Sequence, residues 1–141
     1  MMVTSCKGNV NGGTKTDPKE AKELLIDKDI EETNTQFPMQ VDIATTAVSV
    51  SREGDVVIYH FEVNEGLLEI ESLIENQETM KSELKKSLLD VLNQDASFRE
   101  IMNLLKETGK SLKYEYKGIN TGKTLEIEFF NAEIGEMLGE E

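Results

Sequence analysis

In the segment VVIYHFEV at residues 56–63, every second residue from Val57 onward is aliphatic or aromatic, and the positions between them include the polar His60 and Glu62. This alternation is the pattern of a β-strand. One face of this strand would carry Val57, Tyr59, Phe61 and Val63, and the other would carry Ile58, His60 and Glu62. A run rich in β-branched residues at 39–51 precedes it, and the turn residues 52–55 separate the two runs. The short connection predicts an antiparallel hairpin, with a bulge near Ala47 where the apolar positions change parity.

Helical spacing replaces the alternation in residues 67–93, where apolar side chains recur at every third or fourth position. This spacing predicts either one long helix or two pieces broken near Asn76. Ser97 and Glu100 then form a capping box at the start of a further helix, which Gly109 is well placed to end.

Alternation returns in the last third of the chain. Its apolar positions are Leu112, Tyr114 and Tyr116 before a turn at 120–123, and Leu125, Ile127 and Phe129 after it. The element order is therefore β-β-α-α-β-β. We predict an α+β fold in which a four-stranded antiparallel sheet carries helices packed on one face, while its other face meets water.

Composition excludes several classes of function. The chain has 141 residues and a formal net charge of −13 at pH 7, and such an acidic surface repels nucleic acid. No apolar run approaches the roughly 20 residues that a membrane-spanning helix needs. Because Cys6 is the only cysteine and His60 the only histidine, the chain has no internal disulfide and no multi-histidine metal site.

Three features suggest chemistry without completing a motif. The sequence GKT at 122–124 lacks the earlier glycine of a phosphate-binding loop and lies between strands, where that loop needs a strand followed by a helix. The acidic run at 27–31 alternates like the start of a calcium loop but lacks its glycine and its final glutamate. No sequence motif supplies His60 with a catalytic partner. We therefore predict no catalytic residue, no metal site and no cofactor.

The most specific signal is at the start of the chain, where Val3-Thr4-Ser5-Cys6 places an aliphatic and two small residues before the sole cysteine. This stretch resembles the lipobox of bacterial lipoproteins. The resemblance implies that a signal peptide is removed before Cys6, whose sulfur then receives a diacylglycerol. It also implies a lipid-anchored location in the bacterial cell envelope, facing the periplasm or the cell surface. The hairpin at 112–129 looks like the closing hairpins of small, uncharacterised periplasmic lipoproteins.

These features divide the chain into four parts. They are a remnant of the signal peptide and lipobox at 1–6, a flexible tether at 7–36 with a short helix at 18–27, a single α+β domain at 37–131, and an acidic tail at 132–141. The helix would begin at Asp17, a capping residue, and Pro18, which suits the first helical position.

The leading hypothesis is a non-enzymatic envelope lipoprotein that acts as a protein-interaction module. Ile58 and His60 on the outer strand face, together with Phe130, are the candidate partner surface, since the parity of Phe130 opposes that of Phe129. The acidic charge favours a basic partner. Two alternatives stay open: a soluble acidic inhibitor or immunity-type protein, and a carrier of small apolar ligands.

Overall fold

The computed structural model of the protein describes residues 17–139, and a five-stranded β-sheet forms its centre. The strands lie side by side in chain order: β1 (Met39–Gln40), β2 (Thr45–Glu53), β3 (Val56–Val63), β4 (Ser111–Gly118) and β5 (Thr124–Phe129). β2–β3 and β4–β5 are the two antiparallel hairpins predicted from the alternation, and the register shifts between Ala47 and Ser49, at the predicted bulge. The α+β class is confirmed.

The prediction of four antiparallel strands is wrong in two respects. β1 adds a two-residue fifth strand at the edge of β2, and β3 pairs with β4 in parallel, with Val56 opposite Ser111 and Val63 opposite Gly118. A parallel pair needs a connection that returns the chain to the end where the first strand began, and the helices between β3 and β4 provide it. Alternation indicates the face that a side chain occupies but not the direction of its strand. We call this parallel pair the β3–β4 seam.

The helices between residues 17 and 139 are α1 (Pro18–Asn34), α2 (Ile70–Glu75), α3 (Gln77–Gln94), α4 (Ala96–Glu107) and α5 (Asn131–Met137). The long helical segment is broken at Asn76, which is the second of the two predicted arrangements. The predicted cap of α4 is wrong, because the Asp95 carboxylate, rather than Ser97, accepts hydrogen bonds from the first backbone N–H groups. None of these helices is long and apolar enough to cross a membrane.

Helix α1 is longer than predicted. It continues from residue 27 to Asn34, through a stretch that we expected to be a polar linker. Ile26 is only 1% exposed and Ile30 packs against the core, so α1 belongs to the folded body. Only Ile26 and Ile30 of α1 contact the core, whereas Leu24 and Leu25 are exposed, so the apolar pattern is too weak to extend the predicted helix beyond residue 27. Residues 1–16, which include the predicted lipobox and the first part of the tether, lie outside the described residues.

Two side-chain contacts fasten α1 to the edge of β2. The Asn34 amide donates to the carbonyl oxygen of Val50 and accepts from its N–H, both at 2.8 Å, so that it pairs with the strand edge as a neighbouring strand would. Arg52 donates two hydrogen bonds to the Asp27 carboxylate, at 2.7 and 2.9 Å. This fork matches the geometry of a carboxylate and fixes the helix against the strand.

The core lies between one face of the sheet and the helices, as predicted. Its sheet residues include Val50, Val57, Phe61, Leu112, Tyr114, Ile127 and Phe129, and its helix residues include Ile26, Ile70, Leu88, Leu92, Met102 and Leu105. The segment that we predicted as an acidic tail also contributes, because α5 buries Ile134 and Met137. The neighbouring residues are mostly acidic, but a helix needs only one apolar face to pack against the core.

Lys110 is the most unusual residue of this core, because its side chain is fully buried. Its ammonium nitrogen lies 2.6 Å from the Glu23 carboxylate of α1 and 3.2 Å from Asp55 in the β2–β3 turn. The hydrogen bond from Lys110 lowers the pKa of both carboxyl groups. A single buried cation therefore joins α1, the β2–β3 turn and the start of β4.

Candidate functional site

The residues predicted as a partner surface belong to different parts of the fold and differ in exposure. Ile58 and His60 lie on the same face of β3, but Ile58 is only 5% exposed and does not belong to the core on the opposite face. Phe130 follows β5 and is 57% exposed, beside a depression of about 270 Å³ that charged side chains of α3 and β5 line in part. Ile58 and His60 share a face of β3, as the alternation predicted, but Ile58 is buried.

His60 is the centre of a hydrogen-bonded row across three strands. Its Nε2 lies 2.9 Å from the Ser51 hydroxyl, and its Nδ1 lies 2.9 Å from the Glu115 carboxylate. A serine, a histidine and an acid in this order have the connectivity of a nucleophilic triad. The sequence pattern indicated no partner for His60, because both partners come from other strands.

The geometry around this row does not support acyl transfer. An oxyanion needs two N–H groups close to the nucleophile. The N–H and carbonyl of Val50 face Asn34, so those of Ser51, one residue later, face β3 and are used within the sheet. β3 itself is paired on both sides. We therefore interpret the row as a structural network on the outer face. Residues 17–139 also contain no cluster of three or more histidine, cysteine or acidic side chains that could hold a metal ion.

An open groove on the helix-bearing face is the strongest candidate site. Its floor is the sheet, at Ala47, Tyr59, Phe61 and Tyr114. Its walls are Leu88 and Val91 of α3, Phe98 of α4, and Phe37, Met39 and Val41 around β1. We call this the apolar groove. Its volume of about 460 Å³ lies within the range of ligand and side-chain pockets, which is roughly 300–1,000 Å³.

Aromatic rings stacked across the β3–β4 seam form the floor of the apolar groove. The rings of Tyr59 and Tyr114 are 5.3 Å apart, those of Phe61 and Tyr114 are 5.6 Å apart, and those of Phe61 and Tyr116 are 4.8 Å apart. All three pairs are within 14° of parallel. Such stacked pairs across neighbouring strands stabilise these ring orientations.

Tyr59 and Tyr114 line the apolar groove, and Tyr116 stacks next to it on Phe61. Burial raises the pKa of Tyr59 to about 12, with a further contribution from the charge of Asp29. Burial likewise raises the pKa of Tyr116 to about 12, and Asp42 adds to the shift. The pKa of Tyr114 is raised well above its usual value of 10, mainly by burial. All three phenols are therefore protonated at physiological pH and can donate hydrogen bonds.

The rim of the apolar groove is both exposed and apolar. Met39, Val41 and Val91 line the groove and are exposed to solvent, and Ile43 next to them is more exposed still. The sequence predicted that helices pack on one face of the sheet, but sequence periodicity cannot reveal that they cover this face incompletely. The exposed apolar residues at 39–43, just before β2, were the one sequence signal that could have indicated the groove.

Comparison with known proteins identifies relatives by fold alone. The sequence matches no protein-family model, and no curated protein is significantly similar to it. A proposed secreted protein from Pseudomonas aeruginosa superposes with a TM-score of 0.65 at 17% identity, over 85% of this chain and 99% of that one.

Two pilotins have the same fold. EpsS, from the type 2 secretion system of Vibrio vulnificus, superposes with a TM-score of 0.57 at 14% identity. AspS, from the type II secretion system of Vibrio cholerae, gives 0.51 at 12% identity. Each alignment covers 82% of this chain and 94% of the pilotin. At these identities the likeness establishes a shared fold: this chain has the α+β architecture of pilotins.

Proposed function

We propose that this chain is a non-enzymatic, lipid-anchored protein of the bacterial envelope, and that its apolar groove binds a segment of another protein. The observation that carries the proposal is the exposed apolar rim on a body with a net charge of −13. An apolar patch of this kind on an otherwise charged surface is typical of an interaction site. The fold shared with two secretion-system pilotins and a proposed secreted protein supports the envelope location.

The proposed anchor is an acylated Cys6, with residues 7–16 as the link to α1. Replacing Cys6 with alanine should move the protein from the membrane fraction to the soluble fraction and abolish the mass increase of a diacylglycerol. The physical reason is that acyl chains supply about 0.8 kcal/mol for each buried CH₂ group. Intact-mass analysis of both fractions measures the change.

Ser5→Ala is the matched control for the anchor, because it keeps a small residue at its position in the lipobox. This variant should remain in the membrane fraction. An unmodified Met1 on wild-type protein in the soluble fraction would contradict the anchor.

The groove itself can be tested by photo-crosslinking in cells, with a photoreactive residue in place of Met39 on the rim. Introducing Val91→Glu should reduce the crosslinked adduct about ten-fold or more, because a carboxylate then has to be desolvated in an apolar contact. The matched control is Ile119→Glu, which changes another exposed apolar residue, in the β4–β5 turn. Equal loss of adduct in both variants, or in neither, argues against the groove.

A small-ligand carrier is the second candidate function, because the groove volume of about 460 Å³ would also suit a small apolar molecule. Native mass spectrometry of protein isolated from its own cells distinguishes the two functions. A carrier would retain a non-covalent small molecule that Val91→Glu displaces, whereas a protein-binding module would not.

A further inference from the structure

We propose that the partner segment places one uncharged oxygen acceptor against the hydroxyl of Tyr114, within an apolar stretch that lysine or arginine residues flank. This inference rests on the proposed function and specifies the chemistry of the segment that the apolar groove would take.

Tyr114 is only 8% exposed and lines the apolar groove, with its ring stacked between Tyr59 and Phe61. Burial and the neighbouring Tyr59 and Tyr116 raise the pKa of its hydroxyl, and no hydrogen bond to a group among residues 17–139 contributes to that shift. A buried polar group without a partner is unfavourable, and such groups in native proteins call for a specific explanation. A ligand oxygen in the apolar groove would supply such a partner.

The acceptor oxygen has to be uncharged. The phenol of Tyr114 stays protonated, since burial raises its pKa. Asp29 and Asp42 lie close enough to Tyr59 and Tyr116 to raise their pKa values. A carboxylate on the ligand would be repelled by these acidic groups and would lose its hydration on entering the groove. A carbonyl, amide or hydroxyl oxygen satisfies Tyr114 without either cost.

The exposed apolar residues suit a protein segment better than a small molecule. Ile43, two residues after the groove-lining Val41, is 79% exposed and lies outside the groove, so a small molecule in the groove would leave it uncovered. A protein segment can cover both. Asp29 and Asp42 next to the groove, on a chain of net charge −13, favour basic residues at the ends of that segment.

The acceptor can be tested with two small probes of similar shape on the full-length chain. Acetophenone carries a carbonyl oxygen, and ethylbenzene does not. NMR titrations of the wild type and Tyr114→Phe give four dissociation constants. We expect the affinity of acetophenone relative to ethylbenzene to fall about five-fold in Tyr114→Phe, which is the size of one net hydrogen bond. Tyr116→Phe is the matched control on the same strand face and should leave this ratio unchanged.

The outcomes separate this inference from the proposed function. One outcome is that ethylbenzene binds in the groove while Tyr114→Phe leaves the affinity of acetophenone relative to ethylbenzene unchanged. That result would refute a hydrogen bond from Tyr114 to the ligand but not binding in the groove. If neither probe shifts the groove resonances, both proposals fail. The unbound Tyr114→Phe protein should melt at or above the wild-type temperature, because it lacks an unpaired buried hydroxyl. A clearly lower melting temperature would mean that the hydroxyl already has a partner, and would overturn the inference.

Sequencing the peptide that is crosslinked through position 39 tests the occupant. We expect an apolar segment with flanking lysine or arginine residues. An acidic segment, or a small molecule retained in native mass spectrometry, would overturn the proposed partner.

Discussion

Replacing Lys110 with alanine should lower the free energy of unfolding by about 2–4 kcal/mol, the range for truncating a long buried side chain whose site cannot collapse. Lys110 is fully buried and holds Glu23 and Asp55 at 2.6 and 3.2 Å. The variant loses the packing of the side-chain stem and the contact that joins both carboxylates to the start of β4. Urea denaturation monitored by circular dichroism measures the change.

Lys22→Ala is the matched control, because Lys22 also joins α1 to another element, through a 3.2 Å pair with Glu107, but both side chains are well exposed. Such surface pairs contribute about 0–1 kcal/mol. Lys110→Met keeps most of the stem and should cost less than alanine, since Glu23 and Asp55 can regain water. If Lys110→Ala is no worse than Lys22→Ala, the buried role of Lys110 is refuted.

The same cluster predicts the sign of a pH dependence. Lys110 lowers the folded-state pKa of Glu23 and Asp55 below their ordinary values of 4.5 and 3.8. A depressed folded-state pKa stabilises the protein above the unfolded pKa, and this contribution is lost as the pH falls through the folded value. The wild type should therefore lose stability more steeply than Lys110→Met below about pH 4.5. Equal slopes would contradict the contact.

Replacing Ile26 with alanine should cost about 2–4 kcal/mol, as expected for the loss of a buried aliphatic side chain. Ile26 is 1% exposed and is the one fully buried residue of α1. Its neighbour Leu25 is 54% exposed, so Leu25→Ala is the matched control and should change stability by less than about 0.5 kcal/mol. Thermal unfolding of both variants measures the difference.

The Ile26 experiment also decides between two descriptions of residues 17–36. If this stretch were part of a flexible tether, as the sequence predicted, Ile26→Ala and Leu25→Ala would have equally small effects. If α1 is an integral helix, only Ile26→Ala is destabilising, and the transition stays a single cooperative step. A separate early transition in Ile26→Ala would instead show that α1 unfolds independently of the sheet.

Local patterns predicted much of the fold. Alternation located both hairpins and gave the face of each strand residue, because side chains in an extended strand point to opposite sides in turn. The parity change at Ala47 located the bulge. The direction of β4 was missed because it depends on where a distant connection returns. The extent of α1 was missed because only Ile26 and Ile30 contact the core, one helical turn apart, while its leucines are exposed.

The candidate site was harder to predict than the fold. Tyr59, Phe61 and Tyr114 lie on the face of the sheet that was predicted to carry the helices, and the helices cover this face only in part. The placement of the helices decides whether a gap remains between α3 and β1, and the local sequence pattern indicates very little about that placement. The row of Ser51, His60 and Glu115 was missed for a similar reason, because its members are brought together only by strand pairing.

The β3–β4 seam has a consequence for the order in which the protein folds. Its contacts Asp55–Lys110, His60–Glu115 and Glu65–Asn120 each join residues 55 positions apart. Each hairpin closes a short loop and can form early, but joining the hairpins requires a much longer loop to close. During synthesis, one edge of β3 therefore stays unpaired until β4 has been made. Until then, strands of other chains can pair with that edge.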